Sequence, residues 1–231
     1  MDVQLLDHAI SYLDYIVKLK FWAKIILILT SLAMKLKDVK SRLSQLKPFK
    51  TPKIKYEQYI TPPSLSATTI HMIETVYNDI HGKSVLDLCG GTGMLGITCA
   101  FYDPLSVVNV DIDRDALEIC RTNMLMVDKH VDLINCDFQN LRLNTKFDTC
   151  VMNPPFGMKC KGSDVLAIES ALRCSNVVYV LHSTKTREYY LNKFDNIEVI
   201  AETKYDLPSS YLFHKKKNKV IDVDLYRIAN C

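Results

Sequence analysis

Apolar residues along this chain come in two kinds of run. Short, nearly unbroken ones at 84–88 (SVLDL), 107–110, 131–135 and 147–152 (FDTCVM) read as buried strands. Between them apolar residues recur every three or four positions, as at 94–101 and in the stretch that Asp113 is placed to cap, with Ala116, Leu117, Cys120 and Met124 on its inner face. Further on, 163–173 reads as a helix, 177–181 as a strand and 184–191 as a helix. Segments 197–205 and 220–228 then alternate apolar and polar, which predicts an antiparallel C-terminal hairpin around a long 206–219 loop. Strand and helix in alternation predict an α/β, Rossmann-like, mainly parallel, doubly wound sheet, seven strands with that hairpin counted.

The first residues break this rhythm. The stretch 10–33 is apolar and helix-prone but carries Lys18, Lys20 and Lys24, and its cleanest apolar run, 25–29, is far short of the ~20 residues a membrane span needs. Residues 1–33 are therefore read as an N-terminal extension, a membrane-surface helix or a non-native upstream segment, and 34–231 as the folded domain. No membrane partner is expected. From 35 to 46 a stripe of Leu36, Val39, Leu43 and Leu46 lies under a basic face, and 47–55, with Pro48 and Pro52, is an extended linker. Thr61 is expected to N-cap a helix with Pro62 in its first position, running to about Asp79. Gln58 has no capping explanation.

Composition is that of an ordinary globular domain, 48% hydrophobic and 24% charged. Eight cysteines with no Cys-x-x-Cys pair and no zinc spacing read as reduced thiols of an intracellular protein, so no metal site is expected. Charge changes the picture more. Residues 34–56 hold eight Lys/Arg against the single acid Asp38, and Lys215, Lys216, Lys217 and Lys219 form a second cluster, so the rest of the chain is net acidic although the whole is +3. Such charge runs are more often only solvated faces; the alternative reading of two basic clusters on an acidic body is an electrostatic footprint for a polyanion.

Candidate chemistry sits at the strand ends. Asn153-Pro154-Pro155-Phe156 stops the fourth strand with a stiff turn, because proline cannot donate to a ladder and restricts the residue before it. By itself such a run is as easily a loop. Its chemical use would be methylation of a conjugated nitrogen, whose delocalised lone pair needs two acceptors on its N–H bonds. The Asn153 side-chain oxygen and the Pro154 carbonyl are the candidates, with Phe156 stacking on the flat substrate. Gly91-Thr92-Gly93-Met94-Leu95-Gly96 fits G-x-G-x-x-G, with Asp111 twenty positions after Gly91, so a nicotinamide enzyme must be weighed. Asp87 argues against it: a carboxylate inside the preceding strand end calls for a cation, such as the ammonium of S-adenosylmethionine. Asp111 would take ribose hydroxyls in either case, and Asp137 with Phe138 the adenine. Three acids at successive strand ends outline one crevice.

With DLCGGTG, DID, CDF and NPPFG in order, the chain resembles class I S-adenosylmethionine-dependent methyltransferases. More narrowly, YEQYxT, LHxxxTRE and YDLPxSYxFHKKK make it similar to the METTL-five type of small-subunit (18S) ribosomal RNA adenine-N6 methyltransferase. The resemblance implies that Gln58 and Thr61 close over the methionine end of the cofactor and that Asp87, Cys89, Gly91 and Thr92 line its amino-acid and ribose side. It further implies that Asp111, Asp137 and Phe138 hold the adenosine, and that Asn153 to Phe156 hold the target adenine, Asn153 also touching the cofactor. Lys185, Arg187, Lys215, Lys216 and Lys217 are the candidate RNA contacts. A small zinc-binding activator is the implied heterodimer partner, and nucleus and cytoplasm the implied location. Cys89 departs from the family's usual first glycine. The competing readings are a protein glutamine-amide N-methyltransferase and a non-catalytic cofactor-binding scaffold.

Overall fold

A computed structural model of the chain describes residues 35–208 and 218–230, with side chains from 205 to 219 outside the description. The expectations for 1–33 and for Lys215, Lys216 and Lys217 therefore lie outside the described residues.

Among the described residues seven strands form one sheet: β1 (Ser84–Leu88), β2 (Ser106–Asp111), β3 (Asp132–Asn135), β4 (Phe147–Met152), β5 (Ser175–Ser183), β6 (Ile197–Pro208) and β7 (Asn218–Ala229). Their order is β3-β2-β1-β4-β5-β7-β6. The first five are parallel, and β7 runs antiparallel to both β5 and β6. The chain winds outward from β1 to β3, then returns to place β4 on the other side of β1. The crevice beyond the carboxyl ends of β1 and β4 is thus a topological switch point, where ligands bind in such sheets.

The helices are α1 (Leu36–Leu43), α2 (Pro63–Met72, continuing as a π turn over Ile73–Tyr77), α3 (Met94–Cys99), α4 (Arg114–Val127), α5 (Ser163–Cys174) and α6 (Arg187–Lys193). The apolar stripe of α1 is used as the pattern required, with Val39, Leu43 and Leu46 buried. On one side of the sheet Leu86, Leu88, Cys150, Met152, Val178 and Val180 pack against Ala167, Ile168 and Ala171 of α5. The Asp113 side chain caps α4 by accepting from Asp115 N–H, and Ala116, Leu117, Cys120 and Met124 are buried behind it. β3 is an edge strand, as its position in the chain suggested.

Two expectations need correction. Helix α2 begins at Pro63 and its N-cap is Pro62, extended at φ −58° and ψ 142°, with no side-chain cap bond. The cause is local: Pro62 precedes another proline, which pushes it out of the helical region and shifts the start by one residue. Thr61 is thereby released for another task. The hairpin strands also run further than their alternation showed, leaving 209–217 rather than 206–219 between them.

Candidate active site

The glycine turn is built from β1 outward. Cys89 stands at φ +60°, in the left-handed region that favours glycine, which explains why a glycine is usual there. Gly91 follows at φ +54° and donates its N–H to Asp111 Oδ2 at 2.8 Å, while Asp113 N–H is 2.8 Å from Asp111 Oδ1. The carboxylate at the end of β2 therefore aligns the turn. Asp87 is fully buried; its Oδ2 accepts from Gly96 N–H at 2.7 Å and its Oδ1 has no partner among the described residues. Burial pushes its pKa up to about 7, against the pull of that one N–H.

Gly90 makes room for this arrangement. A Cβ there would collide with the Asn109 carboxamide and lie 2.7 Å from Asp87 Cγ, both buried. Gly90→Ala should therefore lower stability by about 1–3 kcal/mol through overpacking, and Asn109→Ala in the same chain should recover part of it. Urea unfolding of the two single variants and the double variant measures this; additive losses would show that Asn109 is not what the methyl group meets.

Two adjoining cavities open at the switch point. The larger, about 290 Å³, is lined by Cys89, Asp111, Asp137, Phe138, Asn153 and Pro155 among others, and the smaller, about 30 Å³, by Asp87, Gly90, Thr92 and Thr61. They share Phe49, Tyr59, Cys89, Gly91 and Asn153. The three strand-end acids thus stand along one sheet edge, but Asp87 faces the smaller cavity and the other two the larger. Asp137 also caps the short turn Phe138–Asn140 by accepting from Gln139 N–H at 2.9 Å. Phe49 lies over Gly91, where a Cβ would come within 2.8 Å of its Cζ. The linker carrying it is tied down by Asn123. That side chain accepts from Lys47 N–H and donates to the carbonyls of Lys47 and Thr92.

The proline turn follows β4. Asn153 Nδ2 donates to Thr61 Oγ1 at 3.0 Å, which leaves Asn153 Oδ1 as the group's acceptor at the wall common to both cavities. The Glu57 carboxylate accepts from Phe156 N–H (2.9 Å) and Lys159 N–H (2.6 Å). The Phe156 ring does not line either cavity. It lies on His182, centroids 4.4 Å apart, beside Tyr59, Leu65 and Val223. His182 is fully buried and burial lowers its pKa to about 4, so the ring is neutral and its 3.7 Å approach to Asp164 is not an ion pair.

Several side chains singled out from the sequence have other occupations. Gln58 lines the larger cavity, yet its Oε1 accepts from Lys53 N–H at 2.7 Å and its Nε2 donates to Asp113 at 2.6 Å, tying the linker to the start of α4. Thr61 faces the smaller cavity chiefly as the anchor of Asn153. Lys185 is exposed. Arg187 is not presented to solvent as a free cation: its guanidinium spans Asp224 and Glu202. Glu57, Phe49 and Asn123 were not found by sequence reasoning. The only signal was the position of Glu57 beside Gln58 in the YEQY segment. Among the described residues there is no cluster of three or more potential metal ligands, and no helix is long and apolar enough to cross a membrane.

Comparison with known proteins places the chain by family and by fold. The sequence profile of the methyltransferase small domain matches residues 64–205. The rRNA N(6)-adenosine-methyltransferase METTL5 of Danio rerio is 41% identical over 205 residues, covering 85% of this chain and 99% of its own. A crystal structure from Pyrococcus horikoshii, described as a candidate RNA methyltransferase, superposes with a TM-score of 0.75 at 30% identity, covering 85% of this chain and 98% of the other. A ribosomal protein uL3 glutamine methyltransferase of Francisella tularensis is 40% identical over 84 residues, but these are 34% of this chain and 26% of its own.

Proposed function

Since this chain belongs to the methyltransferase small-domain family and groups with the rRNA N(6)-adenosine-methyltransferases, we propose that it methylates the N6 amine of an adenosine in small-subunit ribosomal RNA. The observation that carries the reading is Asn153. It stands at the end of β4 on the wall shared by both cavities, with its amide nitrogen committed to Thr61 and its oxygen left to accept.

The residues present fit S-adenosylmethionine. The unpartnered Asp87 Oδ1 at the smaller cavity calls for a cation, as the cofactor's ammonium would be. Asp111 and Asp137, already oriented by backbone N–H groups, retain lone pairs for the ribose hydroxyls and the adenine amine, and Phe138 offers a face to the ring. When bound, the cofactor supplies an electrophilic methyl group. The chain's part is to present the target nitrogen: Asn153 Oδ1 and the Pro154 carbonyl accept its two N–H bonds and so favour the tetrahedral geometry in which the lone pair can attack.

A glutamine amide is the second substrate that this turn would suit. The likeness to a glutamine methyltransferase covers about a third of this chain, whereas the rRNA enzyme matches over most of it, which favours RNA. A purely structural role leaves the held acceptor at Asn153 without a purpose. For the partner we propose a small zinc-binding activator over the β3 edge, where Ile134 is exposed, with Ile112, Leu125 and Met126 exposed nearby in the chain on and before α4. We place the enzyme in nucleus and cytoplasm, where this RNA is made and used.

The test is transfer of labelled methyl to total RNA, with and without the activator, followed by digestion to nucleosides and parallel calorimetry of the cofactor. Label in N6-methyladenosine is expected. Asp111→Ala, which removes charge-assisted hydrogen bonds worth roughly 1.5–3 kcal/mol, should weaken cofactor binding about ten- to a hundredfold. Label confined to protein, or unchanged affinity in a folded Asp111→Ala chain, would overturn the assignment.

A further inference from the structure

The geometry points to Glu57 as the positioning residue for the proline turn, an inference that rests on the reading above. Pro154 and Pro155 have no N–H, so the turn cannot be held by donors of its own at those two positions. The next available amides must be held from outside. Glu57 does this with both oxygens, Oε2 taking Phe156 N–H at 2.9 Å and Oε1 taking Lys159 N–H at 2.6 Å. Its residue is 6% exposed, so these bonds are shielded from competing water.

The backbone is shaped for the purpose. Glu57 has φ +50°, a left-handed conformation unusual for a side-chain-bearing residue, at the C-terminal end of the short turn Ile54–Tyr56. This sharp bend sends neighbouring side chains to different tasks. Glu57 holds the turn that presents the substrate. Gln58 bonds to Lys53 and Asp113, two residues from the ribose candidate Asp111. The dipeptide therefore ties the substrate half of the crevice to the cofactor half at one backbone point. Glu57 itself is absent from the smaller cavity and enters the larger one only as wall, so its action on the reaction runs through the position of Asn153 to Phe156.

Glu57→Gln tests this with the shape kept: a carboxamide has one acceptor oxygen, and its NH2 then faces a peptide N–H. Single-turnover methyl transfer at saturating RNA and cofactor is expected to slow at least about tenfold, with the cofactor dissociation constant within about threefold of the parent. Amide hydrogen exchange over 156–159 should accelerate. In an Asn153→Ala chain the same change should add less than about threefold, because the two residues act through one geometry. Glu57→Asp, which keeps the charge but reaches less far, should fall between; it carries the test if the glutamine variant fails to fold. Parental exchange over 156–159 in a folded Glu57→Gln chain, or rate losses that multiply in full with Asn153→Ala, would overturn the inference. If the parent transfers no methyl to RNA, the functional reading fails, while the exchange measurement still decides what Glu57 holds.

Discussion

Asn153→Ala is expected to slow methyl transfer about a hundred- to a thousandfold while leaving most cofactor affinity in place. The magnitude is that of deleting one preorganised polar group from a catalytic site. The acceptor matters most as the target nitrogen leaves planarity, so its removal falls on turnover and less on binding. Asp87, Asp111, Asp137 and the glycine turn, the proposed cofactor contacts, all remain, although Asn153 borders both cavities and its loss should soften affinity slightly. Thr61→Val is the companion change. It keeps Asn153 but removes the hydroxyl that orients the amide at 3.0 Å, and should produce a smaller loss of the same kind. Single-turnover transfer to RNA, with calorimetric cofactor titration of each variant, separates the two quantities. Wild-type turnover in Asn153→Ala would mean that the turn is only a loop.

What could be read without coordinates follows a physical division. β1 and β4 were legible to the residue, since a buried parallel strand is a short apolar run with abrupt ends, and glycine or proline stands within two residues of the exit of each. The acids at the strand ends were legible for the same reason, because the end of a parallel strand fixes which edge its next residue occupies. The start of α2 was misplaced because the effect of Pro63 on Pro62 outweighs the capping tendency of Thr61.

Side-chain partnerships were the illegible part. Gln58 meets Asp113 across 55 positions, Thr61 meets Asn153 across 92, and Glu57 meets Lys159 across 102. A sequence window displays the polar residue and hides what it touches. The resemblance implies that Gln58 and Thr61 close over the cofactor, and it does not disclose their described bonds, which hold the linker and the Asn153 amide. For the same reason Phe156 was expected to face the substrate, although its ring lies on His182. Cys89 is intermediate: its identity flagged a departure from glycine, and only the backbone shows that the left-handed conformation is kept nonetheless.

Arg187 separates a folding role from an RNA role most sharply. Its Nε donates to Asp224 Oδ2 at 2.8 Å, one Nη donates to Asp224 Oδ1, and the same Nη is 2.6 Å from Glu202. Asp224 is fully buried, and Glu202 stands directly opposite it in the β6–β7 register. Two carboxylates so paired repel, and Arg187 is the cation between them. Tyr226 hydroxyl, 2.8 Å from Asp224 Oδ2, cannot replace it. Arg187→Ala would strand a buried carboxylate beside a like charge, the costly way to break an ion pair, so the thermal midpoint should fall by about 5–10 °C. Arg187→Lys should recover little, since an ammonium cannot span both oxygens of Asp224 and Glu202 together. RNA binding by the folded fraction should keep the parental salt dependence. Lys185→Ala is the contrast, an exposed cation whose loss should leave the midpoint in place and, if it meets a phosphate, flatten the log–log salt slope by about 0.7. Scanning calorimetry and RNA titration at several salt concentrations read both quantities. A parental midpoint with a flattened slope in Arg187→Ala would return this residue to the RNA interface and show that the Asp224 pair contributes nothing to the fold.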